Sequence, residues 1–282
     1  MRRQLKNSPD FRLSSMKRTA IASVVMAAFF LVGAPSSDAG SIFLTGHDPD
    51  FHATLGGNAV GARNINTSAI NFIMDTGFNP YTIIAPKFLF VESRIAAPVG
   101  HTVGKAGIVA SGYVEGVDFD HHDASTLAAA IGQLGVAGGY SAIVIASDFG
   151  GVLTQAELNI LNGQQAAIAT FLNNGGGLYA MAEGNGGAGL TPGGGHYAFI
   201  PTIVSSLNVD QSEVGNTVTA FGATLGLTNA DVNGNASHVV FTAINGFTVV
   251  DVDAAGRILT IAGREGVIPV ESTTWGRIKT LY

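Results

Sequence analysis

Two continuous apolar runs with a capped helix between them constrain this chain more than any other feature. Tyr140 to Ala146 (YSAIVIA) and Gly177 to Ala182 (GLYAMA) lack polar alternation, so a strand built from either needs cover on both faces. Between them, Thr154-Gln-Ala-Glu157 is a capping box, in which the hydroxyl and the carboxylate each satisfy a backbone N–H left free at a helix start. Leu158, Leu161, Ile168 and Leu172 then share one stripe, with Ile160, Ala167 and Phe171 beside it, and Asn173-Asn174-Gly175 supplies the stop. Strand, helix and strand in this order predict a parallel sheet joined by a right-handed crossover.

The flanking sequence extends the pattern. Ser41 to Thr45 is a third short apolar run, followed by a predicted helix over Ala62 to Thr76 with Ile65, Ala69, Phe72 and Ile73 at helical spacing. Phe88 to Val91 is a further apolar run. Ala97 to Asp123 is Gly-rich and reads as a long excursion with a hairpin around Gly107 to Tyr113, after which Asp123 caps a helix reaching about Leu134. Val239 to Ala243, then Phe247 to Val252 and Arg257 to Ala262 joined by Asp253-Ala-Ala-Gly256, read as an antiparallel end closed by a hairpin. Ligands of parallel sheets sit outside the carboxyl ends of the strands, so the polar clusters at 45–52, 147–151 and 183–187 are expected to meet at one edge.

Composition narrows the function classes. Arg2, Arg3, Lys6, Arg12, Lys17 and Arg18 precede an uncharged apolar run from Thr19 to Ala34, and Ser37-Asp38-Ala39 offers a small-residue cleavage pattern, so residues 1–39 are expected to be a secretory leader. Met16-Lys17-Arg18 would make a sufficient basic start by itself. The run is shorter than the roughly 20 residues that a membrane span requires. Without residues 1–39 the chain loses six of its 14 basic and two of its 20 acidic residues, which leaves a net charge of −10. That sign repels phosphate backbones, so nucleic acid is excluded as a partner and cations are the better guests. The chain has no Cys, so outside the cell it is held together by its core alone. Charged residues are 12%, against a usual quarter or so, which fits a surface solvated by Gly, Asn, Ser and Thr.

The stretches IFLTGHDPDFH, SAIVIASDFGGVLTQAELNIL and ATFLNNGGGLYAMAEGNGG together resemble the trehalose-utilisation-protein branch of the class I glutamine-amidotransferase-like superfamily. The run Val218-Thr-Ala-Phe-Gly-Ala-Thr-Leu-Gly-Leu resembles a later segment of that branch, with Ala223 and Thr224 where its His-Pro would stand. The resemblance is closest over 140–187 and weaker over 41–76. It implies an α/β, flavodoxin-like three-layer sandwich with a mainly parallel sheet and an antiparallel C-terminal hairpin. It also implies that the amidotransferase reaction is absent. Members that catalyse it carry a Cys on the sharp turn after the GGGL-like strand, where this chain has Ala182-Glu183-Gly184 and no Cys anywhere, so thioester chemistry is excluded. No G-x-S-x-G elbow replaces it.

Several residues are candidates for a site. His47, Asp48, Asp50 and His52 in TGHDPDFH offer imidazole and carboxylate groups that would suit a divalent metal, with His47, Asp48 and His52 as ligands. The same stretch also reads as a turn, with Asp48 or Asp50 capping the first helix. Asp148 and Glu183 stand at strand ends, where each would line a pocket or accept N–H bonds from the next helix; Glu183 is the candidate base, and Asn185 follows it. Asp118-Phe-Asp120-His121-His122-Asp123 is a second polar cluster, read as a solvated loop that leads into a helix cap. His196, after Gly193 to Gly195, belongs to a lid or a connection.

Three functions remain compatible with these residues. One is a binding module for a small polar molecule, a saccharide among the candidates, contacted by His47, Asp48, His52, Asp148, Glu183, Asn185 and His196. Another is a metal-assisted hydrolase, and the third is a cell-surface structural protein. The domain is expected over 40–266. A tail over 267–282, whose Ile268-Pro-Val-Glu start resembles sorting tails of exported proteins, lacks the apolar span of an anchor.

Overall fold

The computed structural model describes residues 40–93, 104–148, 153–181, 196–200, 204–209 and 213–264. All of them belong to one compact unit, Ser37–Tyr282. The expected leader at 1–39 and tail at 267–282 lie outside the described residues.

The chain forms an α/β sandwich. Its strands are β1 (Ile42–Thr45), β2 (Lys87–Val91), β3 (Phe119–His122), β4 (Tyr140–Ile145), β5 (Gly177–Met181), β6 (Ser205–Asn208), β7 (Thr217–Val218), β8 (Val239–Ala243), β9 (Thr248–Val252) and β10 (Ile258–Gly263). Its helices are α1 (Pro49–His52), α2 (Ala59–Ile73), α3 (Gly104–Ala110), α4 (Leu127–Ile131), α5 (Gln155–Gly163), α6 (Gln165–Asn173), α7 (Ala220–Thr224) and α8 (Asn229–Val232). The main sheet runs β3-β2-β4-β5-β1-β10-β8-β6, and β9 pairs with β10 and β7. The first five strands of that order are mutually parallel, and those beyond β1 are antiparallel. The arrangement is consistent with a flavodoxin-like sandwich.

Strand parity makes the three layers. Ile42, Leu44, Leu89, Val91, Ile143, Ile145, Leu178 and Ala180 face α4, α5 and α6 through Leu127, Leu158, Ile168 and Leu172. Phe43, Phe88, Phe90, Ala142, Val144 and Tyr179 face the other way, onto Ile65, Ala69, Phe72 and Ile73 of α2 and Ile108 of α3. Both residue sets are apolar, so the central strands carry no polar alternation. Each large side chain buried in this way contributes roughly 1.5–3 kcal/mol. Among the described residues no helix is long and apolar enough to cross a membrane.

Five elements differ from the sequence reading, and in the first of them α4 spans only Leu127–Ile131 with Thr126, not Asp123, at its N-cap. The Gly-rich stretch near 107 is helix α3, not a hairpin, because its glycines serve close packing: a Cβ on Gly107 would collide with the Asp50 carbonyl and one on Gly104 with the Glu92 carboxylate. The polar stretch 118–123 is largely strand β3, whose Phe119 and His121 are buried while Asp120 and His122 are half-exposed. The cap of α2 is Asn58, whose side chain accepts from Gly61 N–H, whereas Asp48 stands at the N-cap position of the short α1 without a side-chain capping bond. The helix expected from Thr154 to Leu172 breaks at Gln164 into α5 and α6.

Candidate functional site

From β2 the chain moves outward to β3, whereas from β4 it moves to β5 on the opposite side. Connections that leave neighbouring strands in opposite directions open a crevice at their carboxyl ends, and that is where ligands sit in open α/β sheets. The residues just past β2 and β4 are Glu92, Ser93, Ser147 and Asp148. The turn after β1 is laid across the same place.

Asp50 makes that connection. Its fully buried carboxylate accepts from Ser147 N–H at 3.0 Å and from the Ser147 hydroxyl at 2.9 Å, which ties α1 to the end of β4. Glu92, also buried, accepts from Lys105 N–H at 3.0 Å at the start of α3. The two carboxylates converge on Gly104: a Cβ there would sit 3.1 Å from Asp50 Oδ2 and closer still to Glu92 Oε1. A glycine at 104 therefore allows two buried acids to share one small space. On the far side of Glu92, His121 Nε2 donates to the Glu92 carbonyl at 2.8 Å and lies 3.8 Å from its carboxylate. The first and second polar clusters thus communicate through Glu92.

Two buried phenols support this floor. The Tyr179 hydroxyl donates to Asn66 Oδ1 at 2.9 Å, and the Asn66 amide holds the Pro49 carbonyl at 3.0 Å. Burial first, and then the nearby Asp50 charge, push the Tyr179 hydroxyl well above its ordinary value, so it stays a neutral donor. The Tyr197 hydroxyl donates to the Thr45 carbonyl at 2.7 Å. Burial and the charge of Asp148 raise it in the same way, which places Asp148 within electrostatic reach of the β1 end.

The proposed metal ligands are divided between two pairs. His47, fully buried, sets Nε2 2.8 Å from Asp251 Oδ2 and Nδ1 3.3 Å from the Ala236 carbonyl, so both ring nitrogens face acceptors on other segments. His52 sets Nε2 3.3 Å from Asp48 Oδ1 and Nδ1 3.2 Å from the Leu55 carbonyl. Among the described residues no three His, Asp or Glu side chains are grouped so as to hold a metal ion. His47 is committed to the β9 hairpin because β10 lies between β1 and β9, which brings Asp251 alongside the β1 end.

His196 sits beside the antiparallel wing, with Nδ1 2.8 Å from the Ser206 hydroxyl. Burial lowers its pKa, and a hydrogen bond with Asn208 opposes that shift. Glu183 and Asn185 lie outside the described residues. Glu92 and Asp251 escaped the sequence reading. Glu92 had a signal, since it directly follows the apolar run Phe88 to Val91 as Ser147 follows Ile145-Ala146. Asp251 had none, because it lies inside a strand and meets His47 only through the sheet order. No protein-family model matches the chain, and no curated protein matches it.

Proposed function

We propose that this chain is an exported member of the class I glutamine-amidotransferase-like superfamily, of the trehalose-utilisation-protein-like branch, that binds a small polar ligand and has no amidotransferase chemistry. A hydroxyl-rich molecule such as a saccharide is the ligand class, since carboxylates accept hydrogen bonds from hydroxyls and need no counter-charge to do so. The observation that carries the reading is the convergence of the buried Asp50 and Glu92 carboxylates on Gly104 at the crevice between β2 and β4, with Asp148 at the same edge. The apolar interior of the sheet is a rigid support for such a site, and the chain has no Cys to act as nucleophile.

Calorimetric titration of the purified protein with a panel of mono- and disaccharides tests it. Saturable binding is expected for at least one sugar, weakened at least tenfold in Glu92→Gln and in Asp148→Asn while thermal unfolding of both variants stays cooperative. Absence of saturable heat across the panel would leave a structural role for the crevice and sink the binding reading.

A further inference from the structure

The opposite end of the sheet holds a second concavity. A cleft of about 540 Å³ opens between the end of α2, helix α7 and the β9–β10 hairpin, near Gly263, which pairs with Ile42 at the beginning of β1. That volume lies within the roughly 300–1,000 Å³ of small-molecule sites. It is remote from the crevice between β2 and β4, which opens at the carboxyl ends of the parallel strands.

Its charged groups are one cation and one anion, beside the hydroxyls of Thr224 and Thr248. The Arg264 guanidinium is held between two rings, 4.3 Å from the centroid of Phe72 and 3.9 Å from that of Phe78. Its Nη2 donates to Asp75 Oδ2 at 2.8 Å and to the Phe72 carbonyl at 3.3 Å. Its Nε is buried and has no hydrogen-bond partner among the described residues. The Arg264 side chain as a whole is 23% exposed and lines the cleft, so its guanidinium is open to an accepting group there. Asp75 and Arg264 both line the cleft, and Phe72, Phe221 and Leu225 supply an apolar wall.

A simple anion fits this lining poorly. Asp75 would repel it at close range, and the net negative charge of the chain would oppose its approach. A simple cation would meet the guanidinium at close range. A net-neutral zwitterion avoids both penalties: its carboxylate meets Arg264, its ammonium meets Asp75, and an apolar side chain covers the aromatic and leucine wall. We infer that this cleft is a binding site for a free α-amino acid with an apolar side chain.

The test is titration of the purified protein with L-leucine and L-phenylalanine, alongside N-acetyl-L-leucine, which lacks the cation, and L-leucinamide, which lacks the anion. The expected result is one saturable site for a free amino acid, with both blocked forms at least tenfold weaker and Arg264→Gln losing binding. Since Arg264→Gln also removes a stacked ion pair, Thr224→Phe serves as the second variant. It fills the cleft from an exposed lining position, leaves Arg264 and Asp75 in place, and is expected to abolish binding with thermal stability retained. Absence of saturable binding by either amino acid, equal binding of the acetylated form, or unchanged binding by Thr224→Phe would each overturn the inference.

Discussion

His47 and Asp251 stand 204 residues apart in sequence and 2.8 Å apart in space, and both are fully buried. Removing one member of a buried pair strands the other in low dielectric, which typically costs about 3–5 kcal/mol, whereas replacing both by apolar residues often costs far less. Denaturant unfolding is expected to show His47→Ala and Asp251→Ala each strongly destabilised, and His47→Phe with Asp251→Leu less so than either alone. A His47→Ala/Asp251→Ala double variant whose loss equals the sum of the two single losses would show that the pair does not couple the β1 end to the hairpin. Imidazole and carboxylate near one another in sequence look the same whether they bind an ion or reach across the sheet, and His47 reaches across it to Asp251. Asp253 adds a pH dependence. Burial alone would raise its pKa, but hydrogen bonds from the Arg257 and Ala255 backbone and from the Arg257 side chain, with the Arg257 charge, take it below the ordinary 3.8. A depressed acid adds stability above that ordinary value and loses it as pH falls through the lower folded value, so stability should decline below about pH 4. Asp253→Asn is expected to flatten that decline in unfolding curves taken across the acid range.

Among the elements, α5 shows how much a capping box can organise. Glu157 is buried and accepts from Thr154 N–H at 3.0 Å, contacts the Thr154 hydroxyl, and also accepts from Ala124 N–H at 2.8 Å ahead of α4. One carboxylate therefore starts its own helix and anchors the segment leading into another. Thr154→Ala is expected to cost about 1 kcal/mol as a lost cap. Glu157→Ala strands two backbone donors and is expected to cost more, about 1–3 kcal/mol, as read from the guanidinium midpoint. This box was legible in the sequence, as were β4, β5 and the β9–β10 hairpin, because each rests on local spacing. Helix α3 was not. Gly104 and Gly107 signal a turn in isolation, and only the proximity of Glu92 and Asp50 shows that they are there to make room. The candidate crevice was half legible for the same reason: strand-end position pointed to Asp148 and the 45–52 loop, while the meeting of Asp50 with Glu92 depends on how β1 and β2 are separated in the sheet order.

For the whole molecule, charge and topology set the behaviour. The −10 carried by residues 40–282 rests on a surface with few cations, so the folded state is under mild self-repulsion. Raising ionic strength from 10 to 150 mM shortens the Debye length from about 30 to about 8 Å and is expected to raise the thermal midpoint by a few degrees. A midpoint that stays level or falls would mean that ion pairs such as Lys87–Asp120 and Lys105–Glu115 outweigh the repulsion. The position of β1 has a further consequence. The first strand of the domain pairs on one side with β5, through Ile42 and Leu178, and on the other with β10, through Ile42 and Gly263. As the chain emerges in order from the ribosome, the segment made earliest waits for its neighbours until nearly the last strand exists. Until β5 is made this apolar strand has two open edges, and until β10 is made it keeps one, a template for pairing with another copy, and contacts of such long sequence separation form slowly. Quality control during synthesis therefore bears on this protein at its beginning as much as at its end, and a stop codon just before residue 258 would leave the domain without the partner that closes its central strand.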